Sequence, residues 1–123
     1  RRKLVKTVEI SIKNLLLRTI IGFNEWERKK KQDVIINATI EFDRKTAVET
    51  DSVKGSVNYK TIAKKIIEEV ENSKYNLLEK LADRLLNIIM EDEKVIKVTV
   101  EIDKPHSVRF SESVSAKVSA ARQ

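Results

Sequence analysis

The only proline and the only histidine of this chain stand side by side, Pro105 and His106, directly after Lys104 in the stretch "EIDKPHSVRFSESVS" at residues 101–115. Lys104 closes a strand pattern, and the proline after it holds its backbone extended while the chain turns. Most lysines are solvated surface groups, because burying an ammonium is costly. In a cleft, however, a lysine can have its pKa lowered enough to move protons. Tyr59 is a candidate acid partner, and its plainer role is a packed aromatic at a helix start. Glu79 follows Asn76 by three residues, the spacing of a capping box, which is its plainer role.

Much other chemistry is excluded by what is missing. The sequence has no cysteine, hence no disulfide framework, thiolate zinc site or thiol nucleophile. It has no glycine-rich phosphate loop and no H-x-x-x-H pair, and its lone histidine advertises no triad partners. One histidine among scattered carboxylates is a thin ligand set for a metal. The basic run "RKKK", Arg28 to Lys31, reads as a solvated loop, since neither a stacking platform nor a groove-reading helix accompanies it. Lys+Arg 25 against Asp+Glu 19 leaves a net charge of +6, mixed in sign along most of the chain as on an ordinary solvated surface. No apolar run approaches the roughly 20 residues of a membrane span, and "RRKLVKTVEI" lacks the apolar core of a signal peptide. A soluble cytoplasmic protein with no nucleic-acid and no membrane partner is expected.

The elements that must position Lys104, Tyr59 and Glu79 follow from periodicity. "VEISIK" alternates Val8, Ile10 and Ile12 with polar residues and runs on into "NLLLRTII". Gly22 opens a polar loop, after which Val34, Ile36, Ala38, Ile40 and Phe42 share one face of a second strand. Residues 43–57, with Gly55 near the end, read as loop. Asn58 then caps a helix whose apolar stripe is Ile62, Ile66, Ile67 and Val70. A second helix, capped by Asn76, buries Leu77, Leu78, Leu81, Leu85, Ile88 and Ile89. Alternation returns at Ile96, Val98, Val100 and Ile102, and again at Val114, Ala116, Val118 and Ala120. The order is ββααββ, an α+β fold over residues 1–123 as one domain: an antiparallel four-stranded sheet with both helices on its apolar face. Its other face carries polar residues such as Lys13, Thr39, Glu101 and Lys117. That face suits either a solvated monomer or the wet interior of a barrel built from several subunits.

Taken together, "GFNEWERKKKQDVIINATIEF", "VNYKTI", "NLLEKLADRLL" and "VEIDKPHSVRFSESVS" resemble the dihydroneopterin aldolase family, in order and over nearly the whole chain. The resemblance implies the tunnelling fold (T-fold), with subunits joined into rings of four, two rings to a homo-octamer, and active sites between neighbouring subunits. It implies a small-molecule pterin substrate and no cofactor, metal or organic. Glu79 matches the carboxylate that anchors the pterin ring, with the backbone of Leu78 beside it. A carboxylate suits the ring's paired N–H donors because it offers two acceptor oxygens and no donor. Lys104 matches the catalytic lysine, Tyr59 the catalytic tyrosine, and Glu27 a glutamate near the reacting side chain.

The implied reaction is a reversible retro-aldol cleavage of C1′–C2′ in the dihydroneopterin side chain. Recombination on the other face of the aldehyde makes the enzyme an epimerase; departure of the fragment makes it an aldolase. "DKPHSVRFSESVS" resembles the epimerases of the family that act on the triphosphate, and His106 and Arg109 are expected to hold that tail, since their cationic groups suit phosphate oxygens. "NEWE", with Trp26, resembles the aldolases instead and keeps aldolase activity of folate synthesis as the alternative. A non-catalytic binder of purine-like rings or RNA is the reading from another class.

Overall fold

Alternating apolar residues build the sheet and a 3.6-residue apolar period builds the two helices that cover it. A computed structural model of the chain describes residues 4, 6–43, 51 and 56–123; Gly55 lies outside them. The elements run β1 (Thr7–Thr19), β2 (Gln32–Asp43), α1 (Tyr59–Asn72), α2 (Leu78–Met90), β3 (Val95–Pro105) and β4 (Ser113–Ala121). The strands lie in chain order, each antiparallel to the next. This is the expected ββααββ arrangement.

The core lies between one sheet face and the helices. From β2 it takes Val34, Ile36, Ala38, Ile40 and Phe42, and from β3 Val98, Val100 and Ile102, all buried. Ile62, Ile66 and Val70 of α1 and Leu81, Leu85, Ile88 and Ile89 of α2 meet them. Burying each such aliphatic side chain contributes roughly 1.5–3 kcal/mol, so the two helix stripes hold the layers together. On the opposite sheet face Thr99 and Ser119 share a hydrogen bond of 2.9 Å, and Ser115 donates to Glu101 at 3.3 Å.

One local feature is new and two expectations are corrected. In β1 the register shifts between Ile12 and Leu15, with Asn14 at φ 53° and its N–H bonded to Asn37 Oδ1. This bulge changes which residues face the helices, from Val8, Ile10 and Ile12 to Leu15 and Leu17. A second irregularity, opposite Glu41 and Phe42, turns Val95 inward in place of Ile96. Finally, α2 begins after Leu77, which takes the N-cap position without a side-chain hydrogen bond. Asn76 therefore does not cap it, Glu79 closes no capping box, and Leu77 is exposed. The α1 cap is as expected: Asn58 Oδ1 accepts from Thr61 N–H at 3.1 Å.

One end of the molecule gathers the loops that matter. The buried Thr19 hydroxyl at the end of β1 donates to Val70 O at 2.6 Å, fixing the last turn of α1 to the strand. Lys104, the penultimate residue of β3, lies at this same end, since Asp103 pairs with Ile35 near the start of β2.

Candidate active site

Lys104 shares strand parity with Val98, Val100 and Ile102 and so lies on the helix-covered face of the sheet. Its ammonium meets Glu27 Oε2 at 2.7 Å, in an ion pair whose side chains are only 14% and 4% exposed. Glu27 sits on a short 3₁₀ turn, Glu25–Arg28. Its other donors are local. Gln32 Nε2 reaches Oε2 at 3.1 Å, while the backbone N–H and side-chain amide of Asn24 reach Oε1 at 3.2 and 2.8 Å.

A buried ion pair is sound only when its leftover lone pairs are also met, and here each carboxylate oxygen has two donors. Burial by itself would raise the Glu27 pKa. The hydrogen bonds from Lys104, Gln32 and Asn24 outweigh it and hold the carboxyl at about 2. Glu27 is therefore an anion at neutral pH and a poor proton acceptor. What it does is fix one N–H of the ammonium, leaving two for a substrate or water.

Glu27 reaches this position only because residue 22 is glycine. Gly22 has φ +116°, and a Cβ there would stand 2.2 Å from the Glu27 carboxyl carbon. Both the backbone angle and the missing side chain are required. Gln32 is steadied in turn by donating to Ile21 O at 2.8 Å.

Arg28 corrects the reading of "RKKK" as a solvated run. Its guanidinium is half-buried and donates to Gly22 O at 3.0 Å, Tyr75 O at 3.1 Å and Lys74 O at 2.5 Å. Gly22 N–H also bonds Tyr75 O, at 3.3 Å. The loop carrying Glu27 is thus joined to the connection leading into α2.

At the start of α2, Leu78 is buried, whereas the Glu79 carboxylate is exposed and bonds to nothing among the described residues. With no side-chain cap, the first-turn N–H groups are open as well. Beyond Lys104, His106 adopts φ 60° and gives its backbone N–H to Glu112 O. It lines a depression of about 380 Å³ with Asn37 and Asp103, on the sheet face away from the Lys104 ammonium. Arg109 is exposed, its guanidinium 4.9 Å from the centre of the Phe110 ring. Trp26 is also exposed, in the loop beside Glu27.

Tyr59 stands apart. It begins α1, whose last turn is the part tied to the Lys104 end, so within one chain Tyr59 is about 20 Å away along the helix axis. The structure brings Lys104 and Glu27 into contact and joins their loop to the segment before Leu78 and Glu79. It does not bring Tyr59 to them. Sequence reasoning missed Asn24, Gly22 and Arg28; a glycine five residues before a glutamate was the one available signal, and it is weak.

The family model described as dihydroneopterin aldolase (FolB) matches residues 10–119. The dihydroneopterin triphosphate 2′-epimerase of Pseudomonas aeruginosa is 44% identical over 113 residues, covering 92% of this chain and 92% of that protein. The protein of the same name from Escherichia coli K12 is 43% identical, over 92% of this chain and 94% of its own. The dihydroneopterin aldolase of Haemophilus influenzae is 27% identical, over 85% of this chain and 89% of its own. In fold, the chain is similar to the crystal structure of E. coli dihydroneopterin aldolase in complex with neopterin, with a TM-score of 0.86 at 22% identity, covering 93% of this chain and 99% of that one.

Proposed function

Because the chain belongs to the dihydroneopterin aldolase family, we propose that it inverts C2′ of 7,8-dihydroneopterin triphosphate, giving the dihydromonapterin form, in the cytoplasm and without a cofactor. The 2′-hydroxyl passes its proton through a water to the Lys104 side chain, which returns it to the alkoxide on recombination; in between, the C1′–C2′ bond breaks and its electrons pass into the C=N system of the reduced ring. The aldehyde fragment, still carrying the triphosphate, turns its other face and recombines. Nothing is oxidised or reduced, and no Schiff base is needed because the ring supplies the electron sink.

The observation that carries this reading is the Lys104–Glu27 pair. An ammonium fixed at 2.7 Å by a carboxylate that stays ionised is a placed acid for the alkoxide, acting directly or through one water. Glu79 would take the ring's paired N–H groups on its two oxygens, with the Leu78 backbone N–H beside it. His106 and Arg109 would meet the triphosphate, and Tyr59 would transfer the proton at the other end of the intermediate. As Tyr59 is a helix length from Lys104, its part requires a neighbouring subunit. The open edges of β1 and β4 and the polar sheet face fit a ring of subunits, two rings making an octamer.

The purified protein is to be incubated separately with dihydroneopterin triphosphate and with dihydroneopterin, resolving stereoisomers and glycolaldehyde by chromatography. Inverted C2′ without glycolaldehyde, chiefly from the triphosphate, is expected. The specific support for the second reading is the 27% identity to an aldolase. Release of glycolaldehyde and 6-hydroxymethyl-7,8-dihydropterin from the dephosphorylated compound would establish it in place of the first.

A further inference from the structure

The guanidinium of Arg28 is spent on backbone, and the two stretches it joins are the two halves of the site. On one side is Gly22, whose empty flank receives the Glu27 carboxylate, and through it Lys104. On the other are Lys74 and Tyr75, three to five residues before Leu78 and Glu79. The second side is a firm wall: the Tyr75 hydroxyl donates to Glu69 Oε2 at 3.1 Å, and Arg84 holds the other oxygen of that carboxylate at 3.3 Å. A planar guanidinium can serve carbonyls of two segments at once in a fixed geometry, which a single rotatable ammonium cannot reproduce.

We propose that Arg28 is a positioning residue: its bonds to Gly22 O, Lys74 O and Tyr75 O set the separation between the Lys104–Glu27 pair and the start of α2. A ring anchored at Glu79 then arrives with its C2′ hydroxyl in reach of Lys104. This rests on the pterin reading above. Losing the clamp leaves the contacts at the start of α2 in place and shifts the acid against them, so the rate falls more than ring binding does. Misplacement by about 1 Å can cost up to about a hundredfold in rate.

The test compares wild type, Arg28→Met, which keeps the stem without its donors, and Arg28→Lys. In Arg28→Met, kcat for C2′ inversion falls about ten- to a hundredfold while the Kd of a fully oxidised, unreactive pterin stays within about threefold. The Gly22 amide exchanges faster, and Arg28→Lys recovers part of the rate. Unchanged kcat, or equal losses of rate and ring binding, overturns the proposal. Should Arg28→Met not fold, the same comparison is made on Arg28→Lys, with smaller shifts of the same sign expected. A wild-type protein that binds pterin without inverting C2′ would refute the proposed reaction. The Gly22 exchange rate then decides the clamp alone: faster exchange in Arg28→Met supports it, and an unchanged rate overturns it.

Discussion

The loop at residues 22–28 and the turn at residues 106–112 both border Lys104, and they are built in opposite ways. In the first, Glu27 is buried with both oxygens doubly bonded, Gly22 is buried against it, and Arg28 is tied to three carbonyls. The second has two residues at positive φ, His106 and Phe110, and Phe110 is 95% exposed. The groups that must hold a charge in place are fixed before any substrate arrives, which is where preorganisation lowers a barrier. In the turn, by contrast, the exposed Arg109 guanidinium meets only the Phe110 ring and is open to a ligand.

Breaking the fixed side should have the largest effect. Lys104→Met is expected to lower kcat by about 10²–10⁴-fold with ring binding retained, as losing a general acid does. Mixing Lys104→Met with Tyr59→Phe subunits should restore part of the activity, because some interfaces then combine an intact Lys104 with an intact Tyr59. A mixture no better than its parents would refute the shared site.

The next effect is on stability in acid. The folded-state pKa of Glu27, about 2, lies below the ordinary 4.5, so its contribution is full above pH 4.5 and is lost as pH falls from there towards 2. At roughly 1.4 kcal/mol per unit this is on the order of 3 kcal/mol. Urea titrations between pH 2.5 and 6 should show a steep loss for wild type and a flatter one for Glu27→Gln; equal slopes would sink the assignment.

The smallest effect belongs to the open side. Arg109→Ala should reduce the preference in kcat/KM for the triphosphate over the dephosphorylated substrate by about tenfold, the scale of one charge-assisted contact, and leave the dephosphorylated rate alone. An unchanged preference removes Arg109 from the tail site.

Periodicity made the sheet, both helices and most of the core legible, because each strand and helix has one buried face and a fixed repeat. It failed where the repeat is interrupted. Val95 faces inward in place of Ile96 because a bulge shifts the pairing, and Leu77 is exposed because α2 starts one residue later than Asn76 suggests. Lys104 was legible as a candidate from its place before Pro105 and from family resemblance, but the four-donor cage around Glu27 was not. Asn24 and Gln32 are ordinary polar residues until the fold turns them onto one carboxylate, and Arg28 looks like its lysine neighbours until two of its carbonyl partners, 46 and 47 residues away, are known.

The bulge at Asn14 has a consequence for anyone aligning this chain with its relatives. Up to Ile12 the even-numbered residues of β1 face the helices, and from Leu15 the odd-numbered ones do. The strand therefore has two reading frames, and Asn14 is where one passes into the other. A gap placed a few residues too early or too late inverts inside and outside for every position between, so that a conservative exchange at Leu15 or Leu17 would be scored as a surface change and one at Leu16 as a core change.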